Sequence, residues 1–208
     1  MEEVIKLGPG EHEASSLKYW GDDGYVGKAI MITGGRKVRF EGAGKGKTVV
    51  KGGSFGIWQG SAGELVGLTI ADSPGTGVAI DGKGAVGKVR QCEIRGHKKD
   101  GVLVEGGGKA ELEESDIHGN GFYGVRIYQK GSASGVRKCN LWDNKWEDEV
   151  AFWDGASASD STMEGSLIGD EAKKAAETAG LPSALAEKAA TEKAAAAEKA
   201  AAEKAAAE

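Results

Sequence analysis

Val78 and Ile80 alternate with other residue types, as do Val102 and Val104, Val125 and Ile127, and Val150 and Phe152. A period of two is strand spacing and not helix spacing. The first three pairs follow a glycine (Gly77, Gly101, Gly124), and Glu149 takes that place before the fourth. A weaker copy opens at Gly56. In every copy a second short apolar segment follows a polar break and closes on Ile70, Ile94, Ile117, Leu141 or Leu167. The copies recur about every 21–26 residues, a period that marks a stacked repeat.

Within each copy the segments are separated by Gly, Ser, Asp and Asn, which form tight turns. Parallel strands ordinarily need a long crossover. A coil escapes that requirement, because each strand pairs with its own equivalent one turn later. The pattern therefore predicts an all-β fold, a parallel β-helix wound from a single chain. Aligning the copies on their apolar columns tests the register. Leu65, Val89, Leu112 and Val136 share one column, and Leu68, Cys92, Ser115 and Cys139 another. The column Val66, Arg90, Glu113, Arg137 then alternates in charge, as rungs stacked about 4.8 Å apart favour.

The first fifty residues, with "VIKLGPGEHE", "AIMIT" and "KVRFEGAGKGKTVVKG", resemble the opening rungs of right-handed parallel β-helix proteins of the pectin-lyase-like superfamily. The five later copies resemble its generic repeat. This resemblance implies a right-handed helix over 1–170, with entry rungs in 1–53 and repeats from about 56, 77, 101, 124 and 149. It specifies fold better than function, since the superfamily holds lyases, hydrolases and non-enzymatic binding domains. The equipment of its polygalacturonase-like members, clustered aspartates with "GHG" and "R-x-K", is not matched by "HGN" at His118–Asn120 or "RIY" at Arg126–Tyr128.

The texture changes after Gly169. "DEAKKAAETAG" predicts a short helix over 171–180, with Asp170 as N-cap and Gly180 just past its end. Ser183 then caps a predicted Ala/Glu/Lys-rich α-helical extension over 183–208, built from the strongest helix formers. Its glutamates, Glu187, Glu192, Glu198, Glu203 and Glu208, line no single face, so a semi-rigid spacer is expected.

Composition narrows the function classes. The net charge of −5 over 208 residues, with no basic stripe, argues against nucleic-acid binding. No apolar run is long enough to span a membrane, and "MEEVIKLGPG" lacks the pattern of a secretion signal. Cys92 and Cys139 stand two rungs apart, too far for a disulfide, and are expected as buried free thiols. That favours a reducing compartment and leaves the location unknown. Three scattered histidines give no metal-ligand spacing, so no metal or other cofactor is expected. "GAGKGKT" at 42–48 lacks the spacing of a phosphate loop and is read as a corner.

The candidate binding residues fall in two groups. Glu93 and Asp116 share an outward column with Thr69 and Asn140, and the next outward column stacks Arg95, His118 and Trp142. Adjacent carboxylates can hold a cation or work as an acid/base pair, and the stack can recognise a sugar face. Trp142, Trp146 and Trp153 concentrate near the last rungs, as a solenoid cap or as an interface. No catalytic residue is assigned. The expected function is a non-catalytic structural or binding subunit of a larger assembly, with protein partners contacted by the faces and the tail. The alternative is a carbohydrate-binding or carbohydrate-active domain, with a sugar ligand at the Glu93–Trp142 columns.

Overall fold

The computed structural model describes residues 2–168, apart from 18, 23–27, 130–131, 147–148, 155, 157–161 and 165. The chain winds rung by rung through three strands per turn. The first rung holds β1 (Glu2–Lys6), β2 (Gly10–Glu13), and then β3 (Trp20–Asp22) with β4 (Lys28–Ile32). The next holds β5 (Lys37–Glu41), β6 (Thr48–Lys51) and β7 (Ser54–Trp58). Four more follow: β8 (Ala62–Val66), β9 (Thr69–Ala71), β10 (Val78–Asp81); β11 (Val86–Arg90), β12 (Glu93–Arg95), β13 (Val102–Glu105); β14 (Lys109–Glu113), β15 (Asp116–His118), β16 (Val125–Tyr128); β17 (Ala133–Arg137), β18 (Asn140–Trp142), β19 (Val150–Trp153). Strands β20 (Thr162–Glu164) and β21 (Leu167–Ile168) begin another turn.

Equivalent strands stack into three seven-stranded sheets. Sheet A is β1-β5-β8-β11-β14-β17-β20, sheet B is β2-β6-β9-β12-β15-β18-β21, and sheet C is β3-β4-β7-β10-β13-β16-β19. All described pairings are parallel except β3 with β4, whose antiparallel contact closes the first edge of sheet C. The registers match the columns read from sequence, with Val89 between Leu65 and Leu112 and Ile94 between Ile70 and Ile117.

The weaker copy read as opening at Gly56 needs correction: Gly56 pairs with Ala79 rather than taking the place of Gly77, and Trp58 pairs with Asp81. The irregular early rung hides that two-residue offset in the sequence. The rung also carries three strands where two were plainest in the pattern.

The core is a stack of ladders, each contributing one buried aliphatic per rung. Ile57, Ile80, Val104 and Ile127 form one; Ile70, Ile94, Ile117 and Leu141 form another. Each such side chain contributes about 1.5–3 kcal/mol on burial. Phe40 and Phe55 meet edge to face, ring centroids 5.2 Å apart, near the beginning of the stack. Space is rationed opposite the isoleucines. A Cβ on Gly87 would lie 2.3 Å from Ile80 Cδ1, so the inward column Val38, Gly63, Gly87, Ala110 stays small.

The corner between sheets A and B runs in the left-handed region at Gly67 (φ 62°), Gln91 (53°), Glu114 (51°) and Lys138 (50°). Only the first of these residues suits that conformation without strain.

The predicted helical extension is corrected. The described residues contain no α-helix, only the three-residue 3-10 turn Ala14–Ser16, so the fold they form is all-β, with no helical appendage among them. The segments 171–180 and 183–208 lie outside the described residues. Alanine-rich composition expresses local propensity, and most helical stability in proteins comes from packing an amphipathic face, which this sequence lacks.

Candidate binding surfaces

Sheet B carries the first candidate group on its outer face. Strand pairing aligns Thr69, Glu93, Asp116 and Asn140 in one column and Ala71, Arg95, His118 and Trp142 in the next. The expected stack forms: the His118 and Trp142 rings lie 4.2 Å apart and 9° from parallel. These columns face outward as read, but they are not open. Asp116 is 5% exposed, His118 1% and Trp142 1%.

The carboxylates are engaged by neighbours. Thr69 Oγ1 donates to Glu93 Oε2 at 2.9 Å, and His118 Nε2 donates to Glu93 Oε1 at 3.2 Å. Arg95 Nε lies 3.6 Å from Glu93 Oε2. Burial pushes the Glu93 pKa up, but the hydrogen bonds from His118 and Thr69 and the charges of His118 and Arg95 outweigh it and hold the carboxyl below its ordinary value. A general acid needs the opposite shift.

Asp116 accepts from Asn140 Nδ2 at 2.8 Å and pairs with Lys45 Nζ at 2.7 Å. Lys45 belongs to the corner read from "GAGKGKT". There Ala43 N donates to Thr48 Oγ1, Gly46 N donates to Thr69 Oγ1, and the lysine reaches along the sheet to Asp116 and to Glu114 O. A strand, β6, follows this corner. The corner acts as a strap over the acidic column. No pattern in the chain announces this contact, because Lys45 and Asp116 are far apart in sequence.

The tryptophans divide. Trp142 sits in the sheet B stack, whereas Trp146 and Trp153 are 44% and 49% exposed elsewhere on the last rungs. These two gather around Tyr123, a residue the sequence reading missed. The Tyr123 and Trp146 rings are 5.0 Å apart and inclined at 71°, and Tyr123 and Trp153 are 6.4 Å apart at 57°. Phe122 lies 5.2 Å from Trp146. Below them Arg126 Nη2 pairs with buried Asp100 Oδ2 at 2.8 Å. The sequence signal was "GFYG" at 121–124, one repeat before "NKWED".

Sheet A presents charge. Arg39, Glu64, Lys88 and Glu111 alternate along one outer column, and Arg90, Glu113 and Arg137 along the next. Arg39 meets Glu64 at 3.0 Å, Arg90 meets Glu64 at 3.2 Å and Glu113 at 3.4 Å, and Lys88 meets Glu111 at 2.9 Å. Val66 interrupts the second column and leaves a notch of about 240 Å³. Its charges are turned on one another.

A further polar ladder lies inside the corner between sheets B and C. Ser73, His97, Asn120 and Asn144 stack there, all buried. The last three side chains each accept from the backbone of the rung before: Ser73 N donates to His97 Nδ1 (3.1 Å), His97 N to Asn120 Oδ1 (3.2 Å), and Asn120 N to Asn144 Oδ1 (3.0 Å). With Nδ1 accepting, Nε2 carries the proton and donates to Ile70 O at 3.1 Å. Burial drives the His97 pKa down to about 3, with the charge of Arg95 acting in the same direction against the Ile70 bond.

Cys92 and Cys139 are free and buried, as read from their column. Burial raises their thiols to about 12 and about 11. Among the described residues no group of three or more His, Cys, Asp and Glu side chains could hold a metal ion. No helix among them is long and apolar enough to cross a membrane.

The three-sheet coil defines a class, the parallel β-solenoids, and comparison with known families agrees. The family described as "Right handed beta helix region" matches residues 76–179, half of the chain. The chain belongs to this right-handed β-helix family, of the pectin-lyase-like kind. No curated protein and no solved structure matches it.

Proposed function

We propose that the chain is a non-catalytic binding subunit of a larger protein assembly, and that it meets its protein partner through the aromatic cluster at Tyr123, Trp146 and Trp153. The observation that carries this reading is the exposure of two indoles, Trp146 and Trp153, around one tyrosine, Tyr123; they are the aromatics among the exposed large hydrophobic side chains of the described residues. Tryptophan and tyrosine dominate binding hot spots because they bury much area with few rotatable bonds. The sheet A charges neutralise one another, and the Glu93 and Asp116 carboxylates are committed to Thr69, His118, Asn140 and Lys45. Both facts favour a scaffold over a reaction centre.

The sugar-binding alternative loses support at Glu93, Asp116, His118 and Trp142, where the buried stack leaves no open face. The test is an affinity capture with the intact chain beside the Trp146→Ala/Trp153→Ala double variant, read by mass spectrometry. Partners held by the first and lost by the second are the expected result. Partners held equally by both would remove the cluster from the interface, and a glycan captured with no protein would replace the reading.

A further inference from the structure

We infer that the first rung is a docking surface for a second copy of this chain, joined edge to edge through β1 in an antiparallel register centred on Val4. Strand β1 pairs with β5 on one side, and among the described residues no strand pairs with its other edge. Leu7 N donates to Glu41 O, so strand alternation turns the backbone groups of Glu3, Ile5 and Leu7 toward β5. Those of Glu2, Val4 and Lys6 face the open edge. An antiparallel mate with Val4 opposite Val4 sets Glu2 opposite Lys6. Each of these residues then exchanges both of its N–H···O bonds with its opposite number.

The side chains select the same register. Val4 is 48% exposed, the most open large aliphatic side chain among the described residues, and the two-fold axis lays it on its own copy. Glu2 and Lys6 are exposed on either side of it, Glu2 beside Lys37 and Lys6 beside Glu41. Across the junction the column runs Lys37, Glu2, then Lys6 and Glu41 of the second copy, which continues the alternating signs of sheet A. A parallel mate would set Glu2 on Glu2 and Lys6 on Lys6. Behind β1, Ile5, Leu7, Leu17 and Tyr19 are only partly buried against the core, and the second copy covers them. An inward charge on an edge strand ordinarily discourages pairing. Glu3 is such a residue, opposite Val38, but its carboxylate accepts from the Tyr19 hydroxyl and so enters the junction with a partner.

Strand β3, which extends sheet C by one strand at this end, does not obstruct the approach. An axis through the middle of sheet A exchanges sheets B and C, and brings β3 of one copy over β2 of the other. A coil of three sheets that climbs about 4.8 Å each turn sets β2 back by about a third of that, and raises β3 by the same amount. The dimer is independent of the aromatic reading and makes the molecule bivalent, with the Trp146–Trp153 surfaces on its two far ends.

The experiment is sedimentation velocity of the intact chain over about 1–100 µM, where a dimer with Kd on the order of 10 µM is expected. Val4→Pro removes an N–H that faces the open edge and none that bonds β5, and should weaken the dimer at least about tenfold. Glu2→Lys and Lys6→Glu each set like charges opposite and should each weaken it about three- to tenfold. Together, Glu2→Lys/Lys6→Glu restores opposite charges and should recover the native Kd to within about threefold. Circular dichroism matching the native chain verifies folding, and Val4→Lys replaces the proline variant if β1 is perturbed. The Trp146→Ala/Trp153→Ala variant should dimerise like the native chain. A chain still monomeric at about 100 µM, or a dimer indifferent to Val4→Pro and Val4→Lys, would overturn the inference. So would a double charge variant no tighter than either single one, or a dimer lost with the tryptophans.

Discussion

Replacing His97 with asparagine should flatten the pH dependence of stability without dismantling the ladder that holds it. The neighbouring positions of this column are Asn120 and Asn144, whose amide oxygens accept the preceding rung's N–H as His97 Nδ1 does. An asparagine at 97 keeps an acceptor for Ser73 N and cannot be protonated. The native histidine, by contrast, must stay neutral, since a proton on Nδ1 would face the Ser73 N–H donor. Its folded pKa is depressed to about 3, so the unfolded chain takes up the proton first. Stability from this group is complete above the unfolded pKa of about 6.5 and is lost as pH falls toward the folded value. With those two values the loss between pH 8 and pH 5 is about 2 kcal/mol. Asp100 and Glu149, raised by burial, act in the opposite direction at the lower end. They are common to both proteins and cancel in the difference.

The assay is urea unfolding at intervals from pH 8 to pH 5, for the native chain and His97→Asn. At pH 8 the variant should be less stable by about 1 kcal/mol, because the imidazole packs on Gly77 and bonds Ile70 O. The curves should converge and cross as pH falls. Parallel curves would refute the assignment of a neutral, buried His97.

Other positions give sharper yes-or-no outcomes. Lys45→Met should destabilise the chain by about 1–2 kcal/mol, a buried-pair cost reduced because the lysine is partly exposed, and Asp116→Asn in the same chain should recover part of it in a double-mutant cycle. Cys92 and Cys139 should resist thiol reagents at pH 8 in the folded chain, given thiols raised to about 12 and about 11, and both should react on addition of denaturant. Lys138→Gly should raise the urea midpoint, by about 0.5–1 kcal/mol in stability, because it relieves a left-handed lysine at φ 50°.

What the sequence disclosed follows from the geometry of a solenoid. Rungs of nearly constant length turn spatial neighbours into a fixed offset along the chain, so Arg90 with Glu113, His118 with Trp142, and the two thiol positions were all placeable by counting. The same arithmetic held the polar ladder. Ser73, His97, Asn120 and Asn144 end the successive repeats in the bare sequence, yet a column of mixed residue types reads as ordinary turn chemistry until its hydrogen bonds are seen.

Counting fails where a side chain leaves its own rung. Lys45 strides along sheet B to Asp116, and that contact turns a column that reads as an open acidic face into a closed one. It fails again where large rings lean. Trp142 and Trp146 are four residues apart in the chain, but one is sealed in a stack and the other stands beside Tyr123. In a repeat protein the strand register fixes which columns exist. Long and aromatic side chains then decide which of those columns a partner can reach, and in this chain they point to the Trp146–Trp153 end.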